Sequence, residues 1–184
     1  MSTAEKISAL RLILGGAQAP SNKEFWEAPS LETGVPRGVI VELLGPYKTE
    51  WLIQFLAGHK SFRIFWAQRD EAILPTALHQ RGLDLTKITF GILGKDMTQS
   101  LRRTLQSQSF QIVIAPSVFE EIRIFQAFQL FAEKSNSTLF LMGDKKPSTA
   151  WPISLQLEIH KGADQQFEIE ILKQKHGNSN SKSQ

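Results

Sequence analysis

The sequence predicts an α/β fold: a mostly parallel central sheet with helices on both faces and an antiparallel hairpin at its C-terminal edge. Three observations carry this reading. Short apolar segments recur at about 38–44, 62–66, 87–92, 110–115 and 137–142. Helical stretches at about 49–58, 70–81, 96–107 and 118–134 alternate with them. Strands that stay apolar without alternation are buried on both faces, and a parallel sheet flanked by helices provides that burial. The last two segments, about 153–159 and 166–172, do alternate, as in Ile153, Leu155, Leu157 and Ile159 followed by Phe167, Ile169 and Ile171. They flank His160-Lys161-Gly162-Ala163-Asp164 and read as a hairpin with one solvated face.

The elements justify themselves in order. Residues 1–37 form a lead-in: Ser2-Thr3-Ala4-Glu5 has capping-box spacing, and Ile7, Leu10, Leu12 and Ile13 follow before Gly15-Gly16 ends the helix. Residues 17–37 are turn-rich, with Pro20, Pro29, Gly34 and Pro36, and carry Phe25-Trp26. The regular core runs over 38–175. Within it Met97, Leu101 and Leu105 mark one helix face, and Ser117-Val118-Phe119-Glu120 has the spacing of a second capping box. Residues 176–184, mostly Gly, Asn, Ser, Lys and Gln, read as a disordered polar tail.

A chain of 184 residues is long enough for one sizeable core. With 41% hydrophobic and 21% charged residues it has an ordinary globular composition, and no run reaches the ~18 apolar residues of a membrane span. Glu5, Lys6 and Arg11 interrupt the first fifteen residues, so no signal-peptide core is expected. The absence of cysteine excludes disulfides, thiolate metal sites and a cysteine nucleophile, and fits a cytoplasmic location. A net charge of +3 is too mild to announce nucleic-acid binding.

The chemistry of such a fold lies at the carboxyl ends of the parallel strands. The first strand ends in Gly45-Pro46, and Tyr47-Lys48-Thr49 leads straight into the next helix. A phosphate loop reads G-x-x-x-x-G-K-[ST] and wraps its anion with backbone N–H groups. Here Gly45, Lys48 and Thr49 remain, with two residues between glycine and lysine in place of five. This is a degenerate phosphate loop, read as non-functional; Lys48 and Thr49 either keep a residual anion site or are simply solvated. After the second strand comes Ala67-Gln68-Arg69-Asp70, where Gln68 is an amide that can orient water but not take its proton. Ile112-Val113-Ile114 ends in Ala115-Pro116, without the carboxylate that would hold a magnesium water shell. Asp70 and Glu71 suit the first turn of a helix, and Ser117 suits a helix cap. His59, His79, His160 and His176 are dispersed, with no metal-ligand spacing. Neither a cofactor nor a metal is expected. Trp51 and Trp66 read as core; Trp26 and Tyr47 fall in loops, where they either form a contact surface or pack over the sheet edge.

These pieces, in this order, resemble the RecA recombinase core over roughly residues 31–175. Gly34-Val35-Pro36-Arg37-Gly38 with Val39-Ile40-Val41-Glu42-Leu43-Leu44-Gly45-Pro46 is similar to the RecA lead-in and its phosphate-loop strand. Ile64-Phe65-Trp66-Ala67-Gln68 sits where that family has its catalytic glutamate. Arg81-Gly82-Leu83-Asp84 matches a turn of the family, and Ile112-Val113-Ile114-Ala115-Pro116-Ser117-Val118 matches its Walker B strand. Ser135-Asn136-Ser137-Thr138-Leu139-Phe140-Leu141 is similar to the strand that follows. The resemblance implies a three-layer RecA-like P-loop NTPase fold. By this matching the phosphate loop is contracted, the catalytic Glu becomes Gln68 and the Walker B Asp becomes Pro116, which implies a pseudo-ATPase. The DNA loops are cut back to a remnant between Gly143 and Pro152, where Lys145 and Lys146 are the candidate nucleic-acid contacts.

Motorless RecA-like proteins include the ImuA-type mutagenesis accessories and the SulA-type division inhibitors. The resemblance to the former implies a non-catalytic scaffold in the DNA-damage (SOS) response, with a translesion polymerase-like subunit or RecA as protein partner. The SulA-like alternative implies a tubulin-like division protein as partner, and a third alternative is a residual ATPase or weakly DNA-binding paralogue. Leu10, Leu12, Ile13, Trp26 and Tyr47 are the candidate partner contacts, and self-association through the N-terminal helix follows from the family's mode of assembly.

Overall fold

The computed structural model describes residues 24–69, 74–94, 96–144 and 146–175. The chain enters through a hairpin, β1 (Phe25–Ala28) and β2 (Leu31–Pro36), and passes into β3 (Ile40–Leu44). Helix α1 (Lys48–Gly58), β4 (Ile64–Gln68), α2 (Pro75–Gln80), β5 (Ile88–Ile92), α3 (Met97–Gln106), β6 (Ile112–Pro116), α4 (Ile122–Ser135) and β7 (Thr138–Met142) follow. β8 (Leu155–Lys161) and β9 (Phe167–Gln174) complete it.

Seven strands form one sheet in the order β5-β4-β6-β7-β3-β8-β9. All neighbours are parallel except β8 and β9. The expected mostly parallel sheet with a C-terminal antiparallel hairpin is therefore present. Strand β3 sits between β7 and β8, buried at every residue. Its apolar residues on both faces, interrupted only by Glu42, follow from that position, because both faces of a central strand are covered.

Period-2 side chains divide the core into two layers. Val41, Leu43, Ile64, Trp66, Ile112, Ile114, Phe140, Leu155 and Leu157 pack with α1 and with Leu78 of α2. Ile40, Ala67, Val113, Ala115, Leu139 and Leu141 pack with Met97, Leu101 and Leu105 of α3 and Phe125 and Phe128 of α4. Helices thus cover both faces.

The hairpin β1–β2 is the main departure from expectation. Residues 25–36 were expected as turns, but they pair in antiparallel register, with Phe25 opposite Pro36 and Trp26 opposite Val35. They lie against α1: the Trp51 Nε1–H donates to Pro29 O at 2.8 Å and His59 Nε2 meets Glu27 O at 2.8 Å. Helix α1 is therefore covered on two sides. Trp51, Leu52, Ile53, Phe55 and Leu56 are all buried, which leaves its amphipathicity weak. Helix α4 also starts later than expected, at Ile122, and ends on Asn136 in the left-handed conformation, φ 52°. The predicted N-terminal helix with Leu10, Leu12 and Ile13, the tail 176–184, and the start of the expected 70–81 helix lie outside the described residues.

Candidate functional site

The carboxyl ends of β3, β4, β6 and β7 converge on one rim of the sheet. Register places Leu43 beside Met142 and Met142 beside Pro116. The turn after β3 leaves the rim at Gly45, whose φ is +87°. A Cβ there would collide with the carbonyl oxygen of Ile159 on β8, so the neighbouring strand lies against the turn itself. The Tyr47 N–H points at the same oxygen, at 3.5 Å, and Tyr47 caps α1 without a side-chain hydrogen bond.

The charges around this turn do not favour an anion. Lys48 Nζ lies 3.7 Å from Asp144 Oδ1. Glu50 places a carboxylate in the first turn of α1, where it already meets the positive end of the helix dipole, and accepts from Lys161 Nζ at 2.8 Å. A cleft of about 360 Å³ opens beside the turn, lined by Leu44, Gly45, Pro46, Lys48, Asp144, Pro147, Glu158 and Leu172. It holds one ammonium against two carboxylates. Thr49, half-buried, follows Lys48 in the helix.

Gln68 closes β4 with its backbone oxygen accepting from the Leu93 N–H at 2.8 Å. Its side chain is 8% exposed, and the Nε2 is buried with no hydrogen-bond partner. Pro116 ends β6, and the next residue returns to the sheet through the Ser117 N–H to Met142 O, 3.0 Å.

The most elaborate polar arrangement at this rim centres on Glu42, in the middle of β3 and 1% exposed. Its Oε1 accepts from Ser117 Oγ at 2.9 Å. Its Oε2 accepts from the Ser148 N–H at 2.8 Å and from Gln156 Nε2 at 2.7 Å. Gln156 also donates to Ser148 O, at 2.7 Å. One position further out, Lys173 Nζ donates to Ala150 O at 3.0 Å. Burial pushes the Lys173 ammonium below its usual pKa, and the Glu42 carboxylate pulls the other way. Three side chains in a row across β3, β8 and β9 therefore tie down the segment between β7 and β8.

This network corrects the reading of Ser117. The capping-box spacing predicted that its hydroxyl would cap the following helix, but the N-cap is Glu121, without a side-chain bond, and the hydroxyl goes to Glu42. A buried carboxylate needs donors more than a solvated helix end does, since charge-assisted bonds in a dry setting are the stronger ones. The sequence signal for the network was a lone Glu inside an apolar strand, with Gln156 as its echo in β8.

Among the predicted contacts, Trp26 is not in a loop. It lies in β1, 5% exposed, edge-on to Phe62 at 4.8 Å with the Arg37 guanidinium 4.9 Å above its ring. Packing resolves it as core, so it offers no surface to a partner in this conformation. Tyr47 is 36% exposed, with the Lys161 ammonium 5.1 Å from its ring. Lys146 is exposed in the β7–β8 segment, and Lys145, Leu10, Leu12 and Ile13 lie outside the described residues.

Among the described residues no group of three or more His, Asp or Glu is placed to hold a metal, and no helix is long and apolar enough to cross a membrane. No family model matches the sequence, and no curated protein matches it.

Proposed function

We propose that the chain is a RecA-like accessory protein that has left nucleotide chemistry behind and serves the DNA-damage response through protein contacts, with a translesion polymerase-like subunit or RecA as partner. The observation that supports the non-catalytic part is the contact between Gly45 and Ile159. A phosphate loop wraps its anion in free N–H groups, whereas this turn packs on β8 and directs the Tyr47 N–H to a carbonyl. Lys48 faces Asp144, and the glutamate position of the resemblance holds a buried amide, Gln68. The damage-response part rests on the ordered resemblance alone.

Calorimetry with magnesium-ATP, with and without single-stranded DNA, tests the first part. No heat of binding is expected, and micromolar binding abolished by Lys48→Ala would overturn it. Titration of purified RecA and of a Y-family polymerase-like subunit tests the second. Saturable binding to either is expected. Binding to neither, together with blocked polymerisation of a tubulin-like division protein in a pelleting assay, would replace it with the division-inhibitor reading.

A further inference from the structure

Among the described residues β9 ends the sheet, and its outer edge carries the pattern Glu168-Ile169-Glu170-Ile171-Leu172-Lys173-Gln174-Lys175. Its pairing with β8 fixes which backbone groups face outward. The Gly162 N–H donates to Gln166 O at one end, and the Lys175 N–H donates to Ser154 O at the other. Antiparallel bonding alternates, so Glu168 and Glu170, then Lys173 and Lys175, turn their backbone groups toward β8. Ile169, Ile171 and Gln174 turn theirs to the outer edge.

A bulge reconciles the two halves. Gln156 pairs with Lys173 and Leu157 with Ile171, so Leu172 is the extra residue. The extra residue keeps Lys173 on the same face as Glu168 and Glu170, which pair with His160 and Glu158. Without it, acids and bases would lie on opposite faces.

From this pattern we infer that the β9 edge is a self-pairing surface: two copies of the chain join β9 to β9 antiparallel about a two-fold axis between Ile171 and Leu172. In that register Ile169 opposes Gln174 of the second copy, both with outward backbone groups. Glu170 opposes Lys173 and Glu168 opposes Lys175, twice each by symmetry. Ile171 and Leu172 are 41% and 36% exposed, and at the axis Ile171 of each copy opposes Leu172 of the other. At this register the edge is self-complementary in charge and apolar content, and the outward backbone groups of Ile169 and Gln174 match. A shift of one residue sets Glu168 and Glu170 against Gln174 and Leu172. Lys173 already donates to Ala150 O and Lys175 lies over the Trp151 ring at 4.7 Å, so both ammonium groups are held near the sheet. This inference is independent of the proposed function.

Sedimentation of the full chain over a concentration series tests it. A reversible dimer is expected. Glu168→Lys and Lys175→Glu, each alone, set like charges opposite one another and are expected to weaken the dimer about tenfold. The double exchange restores the attraction and the dimer with it. Gln174→Pro removes only an outward N–H, so the fold is expected to persist by circular dichroism while the dimer is lost. A monomer at every concentration would overturn the proposal. So would a dimer that the single charge reversals leave unchanged, or one that the double exchange fails to restore.

Discussion

Glu42 and Ser117 are 75 positions apart in sequence, yet the Ser117 hydroxyl donates to the Glu42 Oε1 at 2.9 Å and so joins β3 to the end of β6 across the intervening β7. The same carboxylate holds Ser148 and Gln156. A single buried charge thereby fixes the relative positions of three segments at the rim.

Glu42→Ala removes the acceptor of the buried Gln156 amide and of the half-buried Ser117 and Ser148 donors, and is expected to destabilise the fold by about 2–3 kcal/mol in urea unfolding. Glu42→Gln keeps one acceptor oxygen but turns an amide toward donors, so a smaller loss is expected. Faster amide exchange at Ser148 in either variant would locate the damage. Equal stability of wild type and Glu42→Ala would show that the network holds nothing.

Gly45→Ala is expected to cost about 2–4 kcal/mol, because φ is +87° and the new methyl meets the Ile159 carbonyl. Gly82 shares that φ but has open space around it. Gly82→Ala is therefore expected to cost about 1 kcal/mol, from the backbone conformation alone. Thermal unfolding of the pair separates strain from collision.

Trp26→Ala and Tyr47→Ala should part company. The first empties a buried site against Phe62 and is expected to lose about 3–5 kcal/mol. The second removes a partly exposed ring and is expected to change stability by less than about 1 kcal/mol. A loss at Trp26 as small as that at Tyr47 would mean that the hairpin contributes little to the core.

The buried amide of Gln68 has an Nε2 without a partner. Gln68→Leu therefore removes a desolvated polar group without breaking a bond, and a neutral to slightly stabilising change is expected, within about 1 kcal/mol. A clear loss of stability would show a partner that the described residues do not provide.

Lys173 supplies a pH dependence with a definite sign. Its pKa in the folded state lies below the ordinary value, chiefly through burial. Between that lowered pKa and the unfolded value near about 10.4, the unfolded chain binds more protons. The Lys173 contribution to stability therefore rises with pH across this window. Comparing wild type with Lys173→Met isolates it: the difference between them is expected to vary over that window and to be flat below it.

Much of this architecture was legible in the sequence because burial on both faces writes itself as unbroken apolar runs. The five parallel strands, α1, α3 and the closing hairpin all fall within a few residues of their expected places. The hairpin β1–β2 was not, since Pro29, Gly34 and Pro36 are turn formers and its register contains an irregularity between Trp26 and Ala28. The short turn at Gly45 could be read from the sequence, but its contact could not: Ile159 lies more than a hundred positions away. Ser117 misled because a local capping signal competed with a buried acceptor in another strand.

The contact between Gly45 and Ile159 also makes the short turn hard to undo. Any side chain placed at position 45 must displace β8, and β9 is paired to β8. A substitution there would act on the far edge of the sheet as well as on the turn. Compensating changes in two distant stretches would have to arrive together, so small steps in sequence hold the turn in its present form.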